Sequence, residues 1–180
     1  MGASLAQLKS ELSQEGGNYF HAHGSARFAN TLETLLDNAP PPAAVLDIGG
    51  DKSDYEKRKP ENRMPYSFGK YFRLAGYDYT SVNASDLDAR TDPLPFADNQ
   101  FEVVTAWEII EHLWTFQNGG LLTWHGPLHF WREAHRVLAP GGVFFCATRN
   151  RCCPLAFWKM AHGFNGGCYA AEIEGTDPKP

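Results

Sequence analysis

The stretch Ala43-Ala44-Val45-Leu46-Asp47-Ile48-Gly49-Gly50 decides the fold class. A short apolar run, interrupted only by Asp47, leads straight into two glycines. A strand entering a tight turn reads this way, and apolarity on both faces marks a strand buried in a parallel sheet. Just upstream, Pro40-Pro41-Pro42 ends whatever helix comes before it.

Outward from this strand, strand and helix signals alternate. Leu5, Leu8 and Leu12 fall at helical spacing, and Phe28, Leu32, Leu35 and Leu36 make a second stripe between Ser25 and Asn38. Downstream, Ser67 to Ala75 reads as a helix with Phe68, Tyr71 and Phe72 inward and Gly76 as its stop. Tyr77 to Val82 is a second strand, and Asp86 to Asn99, rich in Asp and Pro, is mostly loop. Phe101 to Trp107 is a third strand, and Glu108 to Leu113 is expected to open a helix. Gln117 to Pro127 reads as an insertion, and Phe130, Trp131, Ala134, Val137 and Leu138 line one side of another helix. Ala139-Pro140-Gly141-Gly142 stops it, and Val143 to Thr148 is the fourth strand. This order predicts an α/β fold: a Rossmann-like parallel sheet with flanking helices and right-handed crossovers. Three regions are expected: a helical arm or lid over 1–42, a core over 43–150, and an irregular tail over 151–180.

Composition narrows the role. The chain has 180 residues, 43 % of them hydrophobic, enough to bury a core. A net charge of −5 argues against nucleic acid held mainly through its phosphates. No apolar run approaches the ~20 residues of a membrane helix. Residues 1–15 lack the apolar stretch of a signal peptide, so a cytoplasmic protein with reduced thiols is expected. Vicinal Cys152 and Cys153 lack the spacing of a zinc-ligand pair, so no metal is expected there.

Ligands of such sheets bind beyond the carboxyl ends of the strands. Gly49 and Gly50 follow the first strand and allow backbone N–H groups to approach a ligand closely. Asp47 can attract a cationic group, although an ordinary strand exit would look the same. After the third strand, Glu108, Glu111 and His112 have i, i+3, i+4 spacing, which on a helix places them on one face. His112 is then a candidate base, with Glu111 or Glu108 orienting it. The structural alternative is that both acids favour the helix N-terminus and His112 packs locally. Trp107 either walls the pocket or belongs to the core. Trp114, Trp124, His125, His129 and Trp131 either frame an acceptor or serve as lid packing or a dimer contact.

Four segments together resemble the class I S-adenosylmethionine-dependent methyltransferases, in the small-molecule branch of methyltransferase type 11. They are Val45-Leu46-Asp47-Ile48-Gly49, Leu94 to Val104 (LPFADNQFEVV), Glu108 to Leu113 (EIIEHL) and Arg136 to Gly142 (RVLAPGG). The resemblance covers about Arg27 to Asn150. It implies S-adenosylmethionine as cofactor, with Asp47, Gly49 and Gly50 at its methionine end, Asn83 at the ribose, Asp88 at the adenine and Trp107 beside it. It also implies a lid from Tyr19, His21, His23 and Arg27. The segment RF-x-x-TLE-x-LL looks like methyltransferases of bacterial surface polysaccharides, so a small-molecule or saccharide acceptor is implied.

The motifs also depart from the family. Asp51 and Ser53 stand where later glycines of the turn are usual, and Asn83 stands where an acid normally holds the ribose, with Asp86 as a substitute nearby. The adenine-facing acid is Asp88 or Asp92, with Arg90 in the position reached by counting back from Leu94. The family's usual C-terminal strand pair has no counterpart here, so the sheet stops early or a partner, such as a second copy in a homodimer, covers its edge. A second reading follows: a relative that has lost cofactor binding and acts as a binding module. A metal-dependent RNA 2′-O-methyltransferase is a third, since E-x-x-E-H holds metal in that branch, but its later His is replaced here by Arg149-Asn150-Arg151. A nicotinamide oxidoreductase is disfavoured because G-x-G-x-x-G is absent.

Overall fold

The computed structural model describes residues 2–15, 19–50, 68–83, 86–107, 109–113, 115–117 and 121–148. The elements are α1 (Leu5–Glu15), α2 (Tyr19–Asn38), β1 (Ala44–Ile48), α3 (Phe68–Ala75), β2 (Asp78–Val82), β3 (Phe101–Trp107), β4 (Thr115–Gln117), β5 (Leu121–Thr123), α4 (His125–Val137) and β6 (Leu138–Ala147). Four strands form one sheet in the order β2-β1-β3-β6. Every neighbouring pair is parallel. The expected Rossmann-like sheet is therefore present. Sequence order jumps from β2 at one edge back across β1 to β3, so the chain reverses direction of travel beside β1.

Side chains alternate across the strands with period two. Val45, Tyr79, Val103 and Trp107 face one side, where they pack with Leu8, Phe28, Leu32, Leu35, Tyr71 and Phe72 from α1 to α3. Leu46, Ile48, Val82, Val104 and Ala106 face the other, against Phe130, Ala134 and Val137 of α4 and Leu94 and Leu113 of the loops. Burying an aromatic or leucine of this kind contributes roughly 1.5–3 kcal/mol. Phe28 lies at the centre of the first layer, its ring 5.8 Å from Tyr71, 5.9 Å from Phe72 and 5.7 Å from Trp107, all edge to face.

Four local expectations change. Glu108–Leu113 does not open an α-helix: only a 3-10 turn forms, over Ile110–His112. The segment read as a plain insertion from Gln117 to Pro127 holds β5, which pairs antiparallel with β4 just before it. Helix α4 starts at His125, five residues before Phe130, and Gly126 explains the close start. A Cβ at Gly126 would fall on the Leu113 carbonyl oxygen. Helix α2 starts at Tyr19 rather than near Ser25, so the backbone of the expected lid residues is its first half. Residues 51–65 and the tail after Thr148 lie outside the described residues. No described helix is long and apolar enough to cross a membrane.

Candidate functional site

Three strand ends meet at the carboxyl edge of the sheet. Gly49 leaves β1 with φ +82°, a left-handed conformation that only glycine adopts without strain. Its N–H donates to the Val82 carbonyl at the end of β2 at 2.7 Å. A Cβ on Gly49 would lie 3.4 Å from Ile109 Cδ1, so the turn also touches the segment leaving β3. The Gly49 amide is thus engaged by backbone, which leaves Gly50 as the described glycine amide of this turn for a ligand.

Asp47 does not point out of this edge. Its residue is fully buried on the α1–α3 side of the sheet. Thr105 Oγ1 donates to its Oδ1 at 2.8 Å, and Tyr79 Oη donates to its Oδ2 at 2.9 Å. Period two explains the outcome: Asp47 shares a face with Val45, and that face is covered by helices. Asp47, expected to attract a cationic ligand group, thus belongs to a buried polar cluster beneath Gly50. A Cβ on Gly50 would overlap Asp47 Oδ2 and lie 2.6 Å from Tyr79 Oη. Trp107 is buried, with the Phe28 ring 5.7 Å and the Phe145 ring 5.0 Å away.

Asn83 sits where expected, immediately after β2 and one residue past the carbonyl that holds Gly49. Its backbone N–H donates to Asp86 Oδ2 at 2.8 Å, and its carbonyl accepts from the Asp86 N–H at 2.9 Å. The acid considered as a substitute is therefore folded back onto the Asn83 backbone. Asp88 is gripped by Arg90, whose Nε and Nη2 lie 2.8 and 2.7 Å from its two oxygens. That hydrogen bonding holds the Asp88 carboxyl below its usual value despite the opposing effect of burial. Asp92 Oδ2 accepts the Asp88 N–H at 2.8 Å. All three acids of this loop thus shape backbone, and Arg90 occupies the acceptor oxygens of the one assigned to adenine.

His112 closes the 3-10 turn, and its side chain is exposed. A 3-10 turn has about three residues per turn, so this backbone does not repeat the i, i+3, i+4 face of an α-helix. Glu108 and the Glu111 side chain lie outside the described residues. Among the described residues no three His, Cys, Asp or Glu side chains gather as a metal site would need. Trp114 also lies outside. Trp124, Leu128 and Trp131 are 64, 48 and 40 % exposed, and their spacing puts them on one side of α4. His129 Nε2 lies 2.9 Å from the Asp92 carbonyl, which ties α4 to the loop.

Sequence reasoning missed Arg136. Its five guanidinium N–H groups meet Glu133 Oε1 and Oε2, the carbonyls of Leu94 and Phe96, and Asp98 Oδ1, at 2.6–2.9 Å. The arginine of the R-VLAPGG segment therefore holds the LPFAD segment, 38 to 42 residues earlier. The two motifs were visible separately; their bond was not.

Residues 70–146 match a family described as "Methyltransferase domain". The matched segment includes β2, β3, α4 and nearly all of β6, while β1 and its glycine turn lie before it. A probable S-adenosylmethionine-dependent methyltransferase of Mycolicibacterium smegmatis is 33 % identical over 89 residues, covering 44 % of this chain and 30 % of that protein. The chain thus spans about three-tenths of the length of the curated relative it matches. Among solved structures, a SAM-dependent methyltransferase of Thermotoga maritima is similar at a TM-score of 0.39 and 18 % identity, over 79 % of this chain and 69 % of that one. The trans-methyltransferase CalH, solved with SAH, is similar at a TM-score of 0.35 and 18 % identity, over 64 % of this chain and 34 % of that one.

Proposed function

We propose that this chain carries an S-adenosylmethionine-dependent methyltransferase domain acting on a small-molecule or glycan-linked acceptor. The observation that carries the reading is the meeting of the Gly49 turn, the Val82–Asn83 strand end and Ile109 at one edge of a parallel sheet. Ligands of such sheets lie across that edge, where the strand order reverses. The methyltransferase-family match over 70–146 supports the cofactor class.

The residues present fit the cofactor at the turn: Gly49 has the required φ, and Gly50 brings backbone to the edge without a Cβ. In this reading Gly50 meets the methionine end and Asn83 meets the ribose with one amide instead of a carboxylate. Asp47 acts from below, by supporting the turn, and Asp88 shapes the loop beside the adenine through Arg90. The bound cofactor supplies an activated methyl group, so the protein mainly has to hold the acceptor aligned. His112 is exposed after β3 and takes the acceptor proton where the acceptor is a hydroxyl. Glu111, the residue before it in the same turn, or Glu108, which precedes the turn, orients it. Trp124, Leu128 and Trp131 form an aromatic and aliphatic face suited to a sugar ring or lipid portion. The reading includes a cytoplasmic protein and a homodimer, the latter through the β6 edge of the sheet.

Calorimetric titration with S-adenosylmethionine tests it. Micromolar binding is expected; no heat and no thermal shift at millimolar cofactor would sink it. One observation favours a second reading, a relative without catalysis: Asp47, Asp86 and Asp88 all spend carboxylate oxygens on the protein itself. That relative would give the null titration.

A further inference from the structure

Tyr79 reads in sequence as an ordinary strand aromatic, yet its position is fixed from three directions. Its ring stacks on Phe72 at 5.5 Å, and the Arg73 guanidinium lies over the ring at 4.7 Å. Its hydroxyl donates to Asp47 Oδ2 at 2.9 Å, while Thr105 holds Oδ1 at 2.8 Å. Between them these donors orient the buried carboxylate. Gly50 rests directly on the pair, since a Cβ there would overlap Asp47 Oδ2 and lie 2.6 Å from Tyr79 Oη.

We infer that Tyr79 is a positioning residue: through Asp47 it sets the place of the Gly49–Gly50 backbone that receives the amino-acid end of the nucleoside cofactor. This deepens the reading above and rests on it. The reasoning is steric and electrostatic. Asp47 is fully buried, so an oxygen deprived of the Tyr79 hydroxyl has no bulk water to turn to. The carboxylate then loses one of the donors that fix its place, and Gly50 is described backbone packed against it. Sites of this kind tolerate displacements of only about 0.5 Å.

The test is Tyr79→Phe in the full chain, which keeps the ring on Phe72 and Arg73 and removes one donor. Without ligand, hydrogen exchange at the Gly49 amide, bonded to Val82, is expected to rise about tenfold while the amides of β1 and β3 hold. With ligand, affinity for S-adenosylhomocysteine is expected to fall about tenfold, whereas affinity for 5′-methylthioadenosine, which lacks the amino-acid end, stays unchanged. Gly50→Ala presses on the same pair from above and is expected to shift the two affinities in the same unequal way. Unchanged exchange at the turn, or equal effects on the two nucleosides, overturns the inference. A wild-type chain that binds neither nucleoside ends the cofactor reading instead, and the exchange comparison still decides whether Tyr79 holds the turn.

Discussion

Arg136 Nη2 donates to the Leu94 carbonyl at 2.9 Å, across 42 residues of sequence. The same guanidinium reaches Phe96, Asp98 and Glu133, and the Leu94 N–H donates to Glu133 Oε2 at 2.8 Å. The loop before β3 is thereby sewn to α4, which also packs against the sheet. Two segments that mark the family in sequence are in this chain a fastening for the loop that carries Asp88 and Asp92.

Arg136→Ala is therefore expected to destabilise the fold by about 2 kcal/mol, since hydrogen bonds to charged groups are each worth roughly 1.5–3 kcal/mol before relaxation. In a chain of this size that lowers Tm by about 4–8 °C. Arg136→Lys is expected to recover little, because an ammonium lacks the planar five-donor fork. A lysine variant that melts like wild type would show that charge alone suffices.

Acid should loosen the same fastening. Hydrogen bonding from Arg136 holds the Glu133 carboxyl below its usual value, despite the opposing effect of burial. A carboxyl depressed in the folded state contributes stability above its unfolded pKa of about 4.3, lost as pH falls through the folded value. Glu133→Gln is thus expected to be less stable than wild type at neutral pH and to lose less between about pH 5 and pH 3. Urea midpoints across that range check it; parallel curves would exclude Glu133 as the source.

Base acts elsewhere. Tyr77 donates to the Ala39 carbonyl at 2.9 Å, and burial pushes its hydroxyl up to about 12. A raised folded pKa means stability that is intact below the unfolded value near 10 and declines as pH rises towards the folded one. Absorbance titration is expected to show a phenolate step near pH 12 that Tyr77→Phe lacks. A Tyr77→Phe titration superimposable on wild type would contradict it.

The Gly49 turn can be probed without any ligand. Alanine at φ +82° costs about 1–2 kcal/mol, while Ile109 at 3.4 Å is an ordinary contact. Gly49→Ala is expected to lower the unfolding free energy by that amount, read as a lower urea midpoint at unchanged m. An unchanged midpoint would mean that the turn adopts another conformation in solution.

How much of this was legible in the sequence depended on range. All four strands of the parallel sheet could be read from apolar runs and glycine or proline stops, because those signals act over a few residues. The length of the helix after β3 could not: Glu108 to Leu113 looks helical, but the backbone closes only one 3-10 turn, over Ile110–His112. The β4–β5 hairpin also escaped, since its three-residue strands are too short for alternation to register.

What the sequence by itself determined was the architecture, a parallel α/β sheet with glycines at the end of β1 and Asn83 at the end of β2. Only the tertiary structure decided what Asp47, Trp107 and Arg136 do. A strand that is apolar on both faces does not say which face a helix will cover, so the burial of Asp47 and Trp107 waited for α1–α3 to dock. Likewise, Tyr79 and Thr105, which donate to Asp47, lie 32 and 58 residues away, and no local pattern encodes a hydrogen bond over that distance.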